Sequence, residues 1–412
     1  NTGLLLSDIY PAVGGLPKET VSYGYDSVTD LPRSVTGNAE YASGISFNAF
    51  GQVDAERVGP TAAPATLVNT WDFHTGQLTR QLLRRTPASA TDGTNIDQQE
   101  YRYDLVGKIT RQINTRLGAA APTETQCFTY DHLARMTGAW TATDACAVPP
   151  TAANHAMVGD SLGPASAYWT TWVLDIGGNR TSQIQHNLTG GVDTTTDYTY
   201  DGNATGQPHT LTATTTTGAS PAATAYSYDE AGNMISRTTP AQGAQTLTWD
   251  DADHLTEVSG ATGTSTSTYD PDGNLLVQKD PGTTMLYLPG QEIALNTTTQ
   301  TTSGVRYYPL PGGGMAIRTG AGANYRFEFT DQHGTPTVYL NNTAQVPTWR
   351  QSTPFGESRG ATATWPDNHG FLNKPTNNST GLTHLGAREY DPSTGRFISI
   401  DPVLDYVDPQ QL

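Results

Sequence analysis

Cysteine is almost absent from the sequence: Cys127 and Cys146 are the two in 412 residues. No C-x-x-C or H-x-x-x-H spacing occurs and the nine histidines are scattered, so neither a metal nor another cofactor is expected. Two readings of the cysteine pair stay open: a disulfide closing the loop "CFTYDHLARMTGAWTATDAC" of a secreted protein, or two buried thiols. Basic charge is also short. With 22 Lys and Arg against 39 Asp and Glu, and no basic cluster, the chain has little to offer a phosphate backbone, which argues against a nucleic-acid partner. Long apolar runs are missing, none approaching the roughly 18 to 20 residues that cross a bilayer as a helix, so no transmembrane segment is expected. The opening "NTGLLLSDIY" has neither an initiator Met nor a basic signal-peptide region, and the chain is expected to be a piece of a larger protein.

Runs of good helix formers are absent too. In their place stand 42 Gly, 26 Pro and abundant Thr. Thr and Val suit a pleated surface and Gly and Pro punctuate it, so the composition predicts an all-β class of short strands and many turns. The length suits one large all-β body or two to three ordinary domains.

One short pattern recurs: an aromatic residue, Asp or Asn, two variable residues, and Gly or a substitute for it. Copies include "YGYDSVTDLP" at Asp26, "FNAFGQV" at Asn48, "WDFHTGQL" at Asp72, "YRYDLVGKI" at Asp104 and "FTYDHLARM" at Asp131. The series continues with "VLDIGGNR" at Asp175, "YTYDGNATG" at Asp201, "YSYDEAGNM" at Asp229, "LTWDDADHL" at Asp250 and "STYDPDGNL" at Asp270. The copies lie roughly 20 to 30 residues apart, the period of stacked supersecondary units.

Each unit reads as a β-hairpin. A strand brings its alternating aromatics to one face, Asp caps backbone N–H groups of the turn, Gly supplies a positive φ, and a second strand returns. A lone hairpin buries too little to be stable, so the units must stack into a continuous sheet. The Tyr and Trp rings are then packing elements whose O–H or N–H finds a backbone or turn partner; the rival reading is a sugar-binding aromatic ladder. Small polar stretches near residues 86–97, 212–225 and 296–304 read as longer hairpin loops, because the pattern resumes on either side. The stretch from about 139 to 170 is the least regular and reads as a surface insertion.

These tandem units resemble the YD repeats of the Rhs/YD-repeat family. The segments "YLPGQEIAL", "FTDQHGTPTVYL", "WRQSTPFGESRG" and "GFLNKPTNNSTGLTHLGAREYDPSTGRFISIDP" resemble the C-terminal end of the Rhs core. The resemblance covers essentially the whole chain. It implies an antiparallel ribbon spiralling into a hollow, shell-like barrel, with residues 1–285 as the tandem-repeat part and residues 286–412 as the C-terminal region of one continuous shell. Such shells occur in bacterial polymorphic toxins, toxin-complex C components and teneurins. In the toxins they enclose a C-terminal toxin polypeptide, so the implied partners are such a cargo, absent from this chain, and delivery or surface partners. The acidic, Thr-, Ala- and Gly-rich composition points to a secreted or cell-surface bacterial member. The Asn-x-Ser/Thr sites at Asn179, Asn341 and Asn378 are then incidental.

In many family members the core ends in a self-cleaving aspartyl protease. The resemblance places Asp401 of "GRFISIDP" and Arg388 of "GAREYD" at the implicated Asp and Arg. Carboxylate hydrolysis uses a pair sharing one proton, with an Arg holding one member ionised or stabilising the oxyanion. Asp391, Asp405 and Asp408 are the second-carboxylate candidates, although the family's second Asp generally lies further downstream. Asp391 has a rival reading as one more turn cap, and Arg388 and Arg396 as partners of neighbouring carboxylates. The sequence departs from the family's Asp-Pro-x-Gly-Leu by reading "DPVLDYVDPQQL". Leu412 is either a cleavage product's end or simply the end of a fragment. His333 and His384 have no accompanying nucleophile motif and are read as structural. The competing function is a non-enzymatic surface, adhesion or filament protein that binds glycans or other cells.

Overall fold

The computed structural model describes residues 3–85, 94–117, 120–163, 165–204 and 206–402. Among them there is no α-helix; two short 3-10 turns, Gly202–Ala204 and Phe371–Asn373, are the helical elements. Twenty-eight strands, from Ser7–Tyr10 to Pro347–Trp349, form one sheet. Each pairs antiparallel with its neighbours in sequence, as in Asn95–Tyr103 with Ile109–Arg116, and Ile109–Arg116 with Thr123–Tyr130. Because direction alternates along such a meander, alternate connections fall on opposite edges. All the aromatic-Asp turns therefore share one edge, and the Thr-, Ser- and Gly-rich loops share the other.

The turn mechanics follow the sequence. Asp131 Oδ1 accepts the N–H groups of Leu133 and Arg135, both at 2.9 Å. Asp104 does the same for Val106 and Lys108, and Asp331 for His333 and Thr335. Gly107 turns at φ 85°. At the matching positions of two other copies Ala134 and Asp253 adopt φ 61° without the freedom of glycine.

The rings tie each hairpin to the one before it. Tyr130 Oη donates to Ile109 O at 2.7 Å, Tyr103 Oη to Leu78 O at 2.6 Å, and Tyr269 Oη to Leu255 O at 2.9 Å. Trp249 Nε1 donates to Met234 O at 2.8 Å. Ile109, Leu78, Leu255 and Met234 each open the returning strand of the preceding hairpin. The repeated aromatics are thus half-buried cross-links, in line with the packing reading of them.

The sheet then comes round on itself. Strands Thr301–Pro309 to Pro336–Leu340 stack on the early strands through a shared core, in which Val21, Tyr41, Val58, Leu67 and Ile96 join Tyr308, Ala316, Phe327 and Leu340. At its centre the fully buried Glu19 carboxylate pairs with Arg306 at 3.3 Å and Arg318 at 3.4 Å. It also accepts hydrogen bonds from Tyr41 Oη at 2.6 Å, from Asn38 N at 2.7 Å and from Tyr308 Oη. Leaving any of these charges unpaired in the core would be expensive, so the cluster specifies which strands overlap. Onward from there the chain lies across successive strands of the sheet. Trp349 Nε1 reaches Asp97 at 2.9 Å, Arg359 grips Glu124 at 2.6 Å, and Arg180 Nη1 donates to Thr394 O at 2.9 Å.

Among the described residues Ser7–Tyr10 pairs only with Glu19–Tyr25, and Pro347–Trp349 only with Pro336–Leu340. The ribbon is an open spiral and does not close as a barrel. The irregular stretch is a long connection between strands Met136–Thr141 and Trp169–Leu174. A disulfide joining Cys127 to Cys146 pins it beside the buried Trp140 and Trp169.

Candidate functional site

The closing segment forms its own four-stranded sheet: Thr376–Asn377, Leu382–Leu385, Arg388–Asp391 and Arg396–Phe397. A tight turn at Gly386, φ 69°, sets Arg388 opposite Leu385 at the start of its strand. Buried Ile398 fastens this sheet to the main one: its N–H donates to Glu389 O at 3.0 Å and its carbonyl accepts Met234 N at 2.9 Å. Two residues further on, the Ile400 side chain lies where a Cβ on Gly232 would come within 2.8 Å of it. This close fit against the turn after Asp229 fixes the path of the chain into Asp401.

Arg388 Nη2 and Asp401 Oδ2 are 2.7 Å apart, each side chain about one-fifth exposed. The guanidinium stacks 3.6 Å over the Phe397 ring, which restricts its orientation. Burial lowers the Arg388 pKa and the Asp401 carboxylate opposes that shift; a guanidinium titrates so high that it keeps its proton. Both residues line a cavity of about 810 Å³, shared with Arg180, Arg396, His209 and Glu230. That volume lies in the range of sites that hold a ligand or a short stretch of chain.

The other sequence candidates separate. Asp391 sits on the same strand as Arg388 but is buried against Arg237, at 2.8 Å, and its Oδ1 accepts Ser393 N at 2.9 Å. It caps a turn and anchors the segment. Arg396 Nη2 donates to His209 O at 2.7 Å, and its Nη1 to Tyr200 Oη at 3.2 Å. His384 bonds Glu389 at 2.7 Å and His333 bonds Gln332 at 3.0 Å. Asp405, Asp408 and Leu412 lie outside the described residues. Glu230, which sequence reasoning did not single out, also lines the cavity. It follows Asp229 in a repeat turn, and no sequence signal links it to Asp401. Among the described residues no cluster of three or more His, Cys, Asp or Glu could hold a metal ion. What the arrangement offers is a carboxylate paired with a fixed guanidinium, one half of the apparatus for acid–base hydrolysis.

A spiralling ribbon of aromatic-Asp hairpins, closed by an Arg–Asp pair on a small terminal sheet, defines the class. The RHS Repeat family model matches residues 249–285. No curated protein sequence matches the chain. Among solved structures, TcdB2-TccC3-TEV is 17% identical with a TM-score of 0.67 over all of this chain and 20% of its own length. TcdB2-TccC3-Cdc42 is 16% identical with a TM-score of 0.64, covering 96% of this chain and 20% of that one. The Photorhabdus luminescens Tc holotoxin pore carrying the TccC3-D651A mutation is 15% identical with a TM-score of 0.52, covering 96% and 22%. The chain thus spans about a fifth of the length of these structures. Residues 249–285 therefore carry an RHS repeat, and the fold of the chain is that of these TccC3-containing structures. No described helix is long and apolar enough to cross a membrane.

Proposed function

We propose that this chain is part of an exported Rhs-type shell that encloses a polypeptide cargo, and that Asp401 and Arg388 belong to a self-cleavage site freeing that cargo. The observation that carries the reading is the 2.7 Å Arg388–Asp401 pair opening onto a cavity of about 810 Å³. The cargo is the polypeptide that follows the core in a longer chain, and the delivery partner is a companion component, as TcdB2 accompanies TccC3 in the compared structures.

In this chemistry Asp401, paired with Arg388, takes a proton from water. The water oxygen bonds to the scissile carbonyl carbon, the C–N bond breaks, and a second carboxyl group gives a proton to the leaving amine. The site acts once on its own chain, so no turnover is expected. Expressing the native polypeptide as wild type and as Asp401→Asn tests this by gel and mass spectrometry. The wild type yields two fragments that stay associated, and the variant stays whole. Equal processing of both would remove Asp401 from the mechanism. An uncut wild type that binds a glycan array would favour a surface or adhesion role.

A further inference from the structure

The protein is acidic, with 39 Asp and Glu against 22 Lys and Arg, yet one of its cavities carries the opposite sign. The cavity of about 810 Å³ that holds Arg388 and Asp401 is also lined by Arg135, Arg180 and Arg396, with Glu230 as its other carboxylate. Four guanidinium groups thus line it against two carboxyl groups.

Two of the four are neutralised at contact. Arg135 pairs with Asp131 at 2.7 Å, and Arg388 with Asp401 at 2.7 Å. The other two bond neutral acceptors among the described residues. Arg180 Nη1 donates to Thr394 O at 2.9 Å and to Gln183 Oε1 at 3.3 Å. Arg396 donates to His209 O at 2.7 Å and to Tyr200 Oη at 3.2 Å. Tyr200 ties the pair to one wall, because its hydroxyl donates in turn to the Arg180 carbonyl at 3.1 Å. Glu357 is near enough to Arg180 for the guanidinium to favour its ionisation, but burial and then Asp391 push its pKa up to about 7, which makes it a weak counter-charge. Positive charge left uncompensated in a partly enclosed space is costly, and it concentrates anions.

The two guanidinium groups are also held in place. Arg180, 8% exposed, lies 4.4 Å over the Phe355 ring, and Arg396 lies 5.3 Å over Tyr200. A planar fork fixed from one side meets the oxygens of a phosphate in a set geometry. Apolar side chains complete the lining, among them Met136, Leu174 and Ile400.

We propose that this cavity binds a small organic phosphate, with its phosphate group against Arg180 and Arg396 and its carbon body along Met136, Leu174 and Ile400. A phosphomonoester carries roughly −1.5 to −2 charges at pH 7, which matches two uncompensated guanidinium groups, whereas one carboxylate of an acidic peptide supplies half of that. The cavity volume suits a ligand of this size. The inference rests on the cavity and not on the cleavage reading, and its test measures binding, so either can fail alone.

Isothermal titration of the native polypeptide with adenosine monophosphate, inorganic phosphate and adenosine tests it. The two phosphates should bind and adenosine should not. Glu230 is exposed, so Glu230→Gln removes a negative charge from the lining without opening the core, and it should tighten adenosine monophosphate by about threefold or more. Ser399→Asp adds a carboxylate to the same lining and should weaken binding by a similar factor. Asp272→Asn changes the net charge as Glu230→Gln does, but two hairpins further along the sheet edge, beyond a screening length of about 8 to 10 Å, and should leave binding as it was. Equal effects of Glu230→Gln and Asp272→Asn would assign the result to overall charge and overturn the proposal. So would adenosine binding as tightly as its monophosphate, or neither phosphate binding at millimolar concentration. A hexaglutamate peptide that binds in preference to both phosphates would also overturn it and give the cavity to acidic peptides.

Discussion

Arg237 and Asp391, 154 residues apart in sequence, meet at 2.8 Å with both side chains almost fully buried. Arg237 also donates to Gln245 Oε1 at 2.7 Å and to Thr380 O. This one guanidinium locks strand Met234–Thr239 of the spiral to two points of the terminal sheet.

Removing one partner leaves the other charged and buried. Asp391→Ala is expected to destabilise the protein by about 3 to 5 kcal/mol, whereas the double change Arg237→Met with Asp391→Leu should recover much of the loss. Urea midpoints of the wild type, both single variants and the double variant measure the coupling. Additive losses would show that the pair does not act as a unit.

The Arg388–Asp401 pair, 2.7 Å apart, predicts a charge and geometry requirement for the proposed self-cleavage. Arg388→Met is expected to lower the cleaved fraction of the native polypeptide, while Arg388→Lys, which keeps the charge but loses the planar fork of donors, retains part of it. Gels of the three proteins measure this. Cleavage unchanged in Arg388→Met would mean that Arg388 has no part in the site.

Burial pushes the Glu56 carboxyl up to about 8, and the bond from Gly312 N, at 3.0 Å, pulls it only partly back. The folded chain thus holds a proton that the unfolded chain releases near 4.5. The resulting stability is fully present below that value and is lost as pH rises towards 8, at up to about 1.4 kcal/mol per pH unit. Glu56→Gln should flatten this fall, seen as a smaller difference in Tm between mildly acidic and mildly alkaline buffer. Parallel curves would exclude Glu56 as a source of it.

The turn geometry predicts a gain. Ala134 sits at φ 61°, a conformation that glycine adopts without strain. Ala134→Gly should raise stability by up to about 1 kcal/mol. Gly51→Ala, at φ 78° with nothing within 4 Å of an added Cβ, should cost a similar amount. Thermal melts of both variants read the same backbone preference with opposite sign.

Local features were legible because their partners lie close in sequence. An Asp two to four residues from the N–H groups it caps, and a Tyr about 20 residues from the carbonyl it reaches, leave a period that can be read directly. Asp131 and Tyr130 are examples. The pairing of Arg388 with Asp401 came from a family resemblance, and no spacing in the chain would have supplied it. Glu19 with Arg306, and Glu230 on the wall of the cavity that holds Asp401, depend on how far the ribbon curves before it overlaps itself. That curvature is the sum of small twists over many strands, and no single residue encodes it. The open form of the spiral escaped the sequence for the same reason.

The buried Glu19 carboxylate has to wait for its guanidinium partners. Arg306 follows it by 287 residues. At ribosomal speeds of about 5 to 20 residues per second, the N-terminal hairpins exist for roughly 15 to 60 seconds before the residue that completes their core is made. Translation order therefore acts as a clock. By the time Leu340 has emerged, every strand that contributes to this shared core has been synthesised, and the closing segment up to residue 402 is added to a core already complete.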